Sequence, residues 1–206
     1  MMRMYIMKFK SIALMALFFT CVTTANASLI TVDRADAVFG NANIDLQSAF
    51  AGIDVADITS EALPSDVLLY NGSQFNDTIY KLTMDFTSSK NRVMDFFAGL
   101  DAGRGAELYL NGTLVNDANQ NLWWSRNFNS SQVFDTTGLN INAGQNIVEL
   151  YWAENGNSGG NSFLFSIDGG NAKVLSADNL TNSVPSPSLF VLLGLGLAGL
   201  VVARRK

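Results

Sequence analysis

The chain predicts an all-β fold: a single β-sandwich or jelly-roll domain set between two apolar ends. Three observations carry this expectation. Tyr80-Lys81-Leu82-Thr83-Met84-Asp85-Phe86 alternates apolar and polar residues, the period-two signature of a half-buried strand. Asn111-Gly112 sits between Glu107–Leu110 and Thr113–Val115, where a type I′ hairpin turn needs two residues with positive φ. Turn signals then recur at short spacing, as in sandwiches and jelly rolls.

Taken in order, residues 1–27 read as a secretory signal peptide. Arg3, Lys8 and Lys10 make its basic region, Ile12 to Val22 its apolar core, and Ala25-Asn26-Ala27 its small-residue cleavage site. The alternatives are a retained anchor, for which the apolar run is short, and a lipid attachment at Cys21, before which Phe18-Phe19-Thr20 is bulky. Residues 28–175 are expected to form the sandwich. A short helix is expected near Leu46 to Ala51, and strands at 80–86 and 92–98. The hairpin described above comes next, followed by a strand from Asn146 to Ala153. A second hairpin follows, with Ser162–Ile167 and Ala172–Leu175 joined by Asp168-Gly169-Gly170. Residues 176–187 read as a polar linker. Residues 188–203 are expected to form a single transmembrane helix, closed by the basic cluster Arg204, Arg205 and Lys206.

That final segment is short for a span. Leu189 to Ala203 would extend about 22 Å as a helix at ~1.5 Å per residue, against a hydrocarbon core of ~30 Å. Gly194, Gly196 and Gly199 weaken it as a helix. Snorkelling Arg204 and Arg205 shorten the deficit. A temporary anchor is the expectation, and a permanent single-span anchor is the alternative. The basic ends would both stay on the cytoplasmic side of a membrane, with the body outside.

The body is acidic. All eighteen Asp and Glu fall between residues 28 and 183, against seven Lys and Arg, a formal charge of −11. Such a surface repels nucleic-acid phosphates, so no nucleic-acid partner is expected. There is no histidine, and the only cysteine is Cys21. This removes Ser-His-Asp and Cys-His nucleophile systems and His/Cys zinc sites from the body, and with them any disulfide. No cofactor is expected, and about 155 residues suffice to bury one core.

The tail Val184-Pro185-Ser186-Pro187-Ser188, then Leu189 to Leu200, then Arg204-Arg205-Lys206 resembles the PEP-CTERM sorting signal of Gram-negative bacteria. That resemblance implies processing by an exosortase-like membrane protease and association with extracellular polysaccharide or biofilm matrix. The motif's usual Glu between the prolines is Ser186 here. Within the body, Phe96 to Gly103, Ala106 to Gly112, Leu122-Trp123-Trp124, Val148-Glu149-Leu150 and Ala153-Glu154-Asn155 resemble a PEP-CTERM subgroup named for a Cys-Cys-x-Gly motif. In place of those cysteines stands Asn155-Gly156-Asn157-Ser158-Gly159-Gly160. Tyr109 to Val115 also resembles PA14-like and other carbohydrate-associated β-sandwiches.

Candidate ligand-binding residues are Trp123, Trp124 and Asp101, with Trp152 beside them. An indole offers a large stacking face to a sugar ring at small entropic cost; the competing expectation is that these residues are core. In a strand Trp123 and Trp124 must point to opposite sides, so at most one is buried. Asp101 with Asp117 or Glu154 could supply oxygen ligands for calcium, although a turn-forming role suits Asp101 better. The Asn155–Asn161 loop could meet sugar hydroxyls or simply turn the chain. Asn-x-Ser/Thr triplets at Asn71, Asn76, Asn111, Asn129 and Asn179 are what Asn abundance produces by chance.

The sequence therefore predicts an exported, non-catalytic surface or matrix protein. The alternatives are a carbohydrate-binding module proper and, with carboxylates the only catalytic groups left, an acidic-residue hydrolase. No pair of carboxylates is singled out by spacing, and no catalytic or metal-binding residue is assigned.

Overall fold

A computed structural model describes residues 28–37, 39, 44–63, 77–154 and 160–184. These belong to a compact unit spanning Ala27–Ser186. The signal peptide at 1–27, the segment 188–203 and the basic cluster 204–206 lie outside the described residues. Among the described residues no helix is long and apolar enough to cross a membrane.

The strands are β1 (Leu29–Asp36), β2 (Thr59–Ala62), β3 (Thr78–Ser88), β4 (Arg92–Gly99), β5 (Asp101–Ala102), β6 (Ala106–Leu110), β7 (Thr113–Ala118), β8 (Leu122–Trp123), β9 (Phe134–Ile141), β10 (Gly144–Glu154), β11 (Ser162–Ile167) and β12 (Lys173–Val174). Two helices, α1 (Leu46–Ala51) and α2 (Ala177–Ser183), accompany them. The strands form a six-stranded sheet ordered β2-β1-β3-β10-β6-β7, a four-stranded sheet ordered β12-β11-β4-β9, and a small β5-β8 ribbon. All pairings are antiparallel. The all-β sandwich expected from the alternation is the architecture observed.

The core follows from period two. Tyr80, Leu82, Met84 and Phe86 of β3, with Val148, Leu150 and Trp152 of β10, turn inward from the larger sheet. Met94, Phe96 and Ala98 of β4, with Phe163 and Phe165 of β11, meet them from the smaller one. Trp152 is fully buried, stacked on Tyr80 at 4.9 Å between ring centroids and tilted against Phe163 at 5.7 Å. Burying each such side chain contributes about 1.5–3 kcal/mol.

A second apolar cluster lies on the outer face of the larger sheet. Ile79, Tyr109, Tyr151 and Ala153 point outward and are covered by Leu46 and Phe50 of α1. This helix begins where the sequence predicts. Asp45 caps it by accepting the Ser48 N–H at 2.8 Å. Glu107 on the sheet beneath accepts the N–H groups of Leu46 and Gln47 at 2.9 and 3.1 Å, so three backbone donors at the helix start are satisfied by carboxylates.

The expected hairpins are present. Asn111 and Gly112 both have positive φ (51° and 78°), as a primed turn requires, and Asp168 and Gly169 (52° and 72°) do the same for β11–β12. One boundary differs from expectation. Residues 177–183 are helical rather than a linker, with Ser176 capping α2 by accepting the Asn179 N–H at 3.1 Å. Leu180 and the following Val184 are buried in the main core. The segment looks polar because only one face of a two-turn helix touches the sandwich, and that face supplies few apolar residues. The domain thus continues through Val184, which sequence reading assigned to the sorting motif. Pro185, Ser186, Pro187 and Ser188 lie outside the described residues.

Candidate functional site

Strand β4 ends at Gly99, and the chain immediately enters the β5–β8 ribbon, in which Asp101 faces Trp123 and Ala102 faces Leu122. Directly opposed residues of an antiparallel pair share a face. Ala102 and Leu122 are buried, so Asp101 and Trp123 stand together on the outer face. Trp123 is 66% exposed, an unusual state for the largest apolar side chain.

Trp124 takes the opposite direction, as alternation demands. It is buried, lies over the backbone of Gly99, and leans on Phe128 at 5.0 Å. A Cβ on Gly99 would fall inside van der Waals contact of the Trp124 ring, so the glycine is what lets the indole settle there. The Trp124 backbone N–H donates to Leu100 O at 2.9 Å, and the Trp123 backbone N–H reaches Gln132 Oε1 at 3.4 Å. The Asp101 N–H donates to Asn161 Oδ1 at 3.1 Å, and Asn161 is itself buried. Partial burial raises the Asp101 carboxyl above its ordinary range.

The structure therefore brings together two of the sequence-predicted residues, Asp101 and Trp123. It sends Trp124 and Trp152 to the interior, the core reading for both. Asp117 lies on exposed β7 opposite Glu107, and its Oδ2 accepts from Asn119 at 2.9 Å. Glu154 is buried at the end of β10 opposite Thr78. Among the described residues no group of three or more His, Cys, Asp or Glu could hold a metal ion, so the Asp101, Asp117 and Glu154 combination is not assembled. Residues 155–159 lie outside the described residues. Gln132, which meets the Trp123 backbone, was not singled out by sequence reasoning, whereas Asn161 belongs to the Asn155–Asn161 loop offered for sugar hydroxyls and holds the Asp101 backbone. Gln132 is an isolated polar partner nine residues along the chain, with no local signature.

The surface so formed is a flat indole beside a carboxylate. The indole offers an apolar, electron-rich face to C–H groups, and the carboxylate accepts hydroxyl hydrogen bonds in a charge-assisted way. Nothing about the pair provides a nucleophile with a base.

No protein-family model matches the chain, and no curated protein matches it. Among solved structures it is similar to a PA14 sugar-binding domain from an RTX adhesin, at 13% identity and TM-score 0.46, covering 74% of this chain and 97% of that one. It is also similar to the PA14 domain of the MpAFP antifreeze protein, at 17% identity and TM-score 0.45, over 76% of this chain and 92% of that one. A family 35 carbohydrate binding module from an environmental isolate is similar at 14% identity and TM-score 0.30, over 47% of this chain and 70% of that one. No residue of the site is assigned through these likenesses.

Proposed function

We propose that this chain is an exported, non-catalytic surface or matrix protein whose β-sandwich binds carbohydrate on the Trp123–Asp101 face. The observation that carries the reading is the exposed Trp123 indole held beside the Asp101 carboxylate on one face of the β5–β8 ribbon. Burying an exposed indole under a sugar ring recovers apolar area that the fold leaves in water. The neighbouring carboxylate orients the ring through its hydroxyls. The ribbon is anchored from behind by Trp124 and Leu122, so little backbone freedom is lost on binding.

A glycan array probed with the full-length protein tests this. Retention of one or more saccharides is expected, lost in Trp123→Ala, with the thermal midpoint of the variant close to that of the parent. Unchanged retention in Trp123→Ala would remove the site. The choice of Trp123 matters, because Trp124→Ala would open a core cavity and confound binding with folding.

The export reading rests on the N-terminal segment and on the resemblance of the tail to a sorting signal. An exosortase-like protease and extracellular polysaccharide are its implied partners, and the inner membrane is its transient location. Mass spectrometry of the mature protein tests it: a C-terminus before Leu189 is expected, and one still ending in Arg205-Lys206 would count against processing.

A further inference from the structure

The acidic body carries few cations, and two of its seven line one cleft of about 300 Å³ at the far end of the four-stranded sheet. The register fixes where this is. Ser162 faces Gly99 at the Trp124 end of β4, and Ile167 faces Met94 near its start. The cleft at Arg92 therefore lies roughly 23 Å along the strand from Gly99, at ~3.3 Å per residue.

Its charges are unevenly matched. Asp168 is fully engaged: its Oδ1 accepts the Val93 N–H at 3.0 Å, and its Oδ2 accepts from Arg92 Nη1 at 2.9 Å. The Val93 hydrogen bond and then Arg92 hold this carboxyl below its ordinary range, so it stays ionised. The Arg92 Nε is shielded from water and has no partner. Lys173 Nζ meets only the neutral Ser183 Oγ, at 3.1 Å; among the described residues it has no carboxylate partner. One carboxylate thus answers two cations, leaving a net positive pocket on a strongly negative molecule. Half-buried Ile167 supplies an apolar wall, and Asn171 and Ser183 supply neutral hydrogen-bonding groups.

We propose that this cleft binds the carboxylated ring of an acidic saccharide, a uronate unit, with Lys173 and Arg92 meeting the carboxylate and Asn171 and Ser183 the hydroxyls. A volume of this order is at the small end of ligand pockets (~300–1,000 Å³) and suits one ring at a time. Ile167 favours a ring with C–H faces over a bare inorganic anion. A local positive site also overcomes the repulsion that an acidic polymer would otherwise meet at a body of charge −11. The site is independent of Trp123 and survives if that residue binds nothing.

Calorimetric titration of the full-length protein with sodium glucuronate, glucose and inorganic phosphate tests it. Glucuronate is expected to bind saturably, weakening as salt is added. Glucose and phosphate are each expected to bind at least about tenfold more weakly. Lys173→Glu should cost glucuronate affinity about tenfold or more. Because Lys173 is exposed, its thermal midpoint should hold, and Lys173→Gln should fall between the two. Trp123→Ala should bind glucuronate as the parent does. Equal binding of glucose, equal or tighter binding of phosphate, indifference to Lys173→Glu, or loss in Trp123→Ala would each overturn the proposal.

Discussion

At the scale of single residues, the role proposed for Asp101 runs against stability. Its carboxyl is raised by partial burial, so the folded state holds the proton more tightly than the unfolded one. Stability contributed at Asp101 is therefore lost as pH rises from the ordinary value of 3.8 through the raised folded value. Asp101→Asn should raise the thermal midpoint above that window, leave it unchanged well below it, and weaken saccharide retention. Thermal melts at several pH values together with the array check both halves. Gly99→Ala should act oppositely, destabilising by roughly 1–3 kcal/mol because the new methyl group displaces the Trp124 ring; urea denaturation measures it. That at most one of the two adjacent tryptophans would be buried was legible in advance, since neighbours in an extended chain point to opposite sides. Which one faced water was not, because that depends on Leu122 and Ala102 being inward, a fact of ribbon register rather than of local sequence.

At the scale of elements, the strands with clean alternation were readable and those without it were not. In β9, Phe134 and Thr136 are buried, then Leu139 and Ile141. The phase slips by one residue beside Gly138, where the pairing with β4 is irregular, and the slip erases the pattern on which sequence reading depends. Strand β1 carries the pattern in Ile30 and Val32, but it stands directly after the segment that reads as a signal peptide, where sequence reading placed no strand. Helix α1 was legible from its position but not its anchor. Glu107 reads as an ordinary exposed position of a hairpin strand, yet it is buried and accepts from Leu46, Gln47 and the Tyr109 hydroxyl. Glu107→Ala should leave these donors unanswered and destabilise the protein by about 1–3 kcal/mol. Hydrogen exchange should show the loss first at the amides of residues 46 and 47.

At the scale of the whole molecule, α2 helps to complete the core of the sandwich. Leu180 and Val184 belong to the same buried cluster as Trp152 and Phe86. Leu180→Ala should cost about 2–5 kcal/mol by urea denaturation. The charge distribution is likewise a property of the whole: the composition shows the deficit of cations, but only the fold gathers Arg92 and Lys173 at one cleft.

Because Val184 is locked into the interior, folded structure runs up to the residue before Pro185. A peptidase that gripped the stretch from Val184 to Ser188 would first have to pry a stopper from the base of the sandwich. Release of the protein would then report on the firmness of its last helical turn, and loosening Leu180 should quicken the cut.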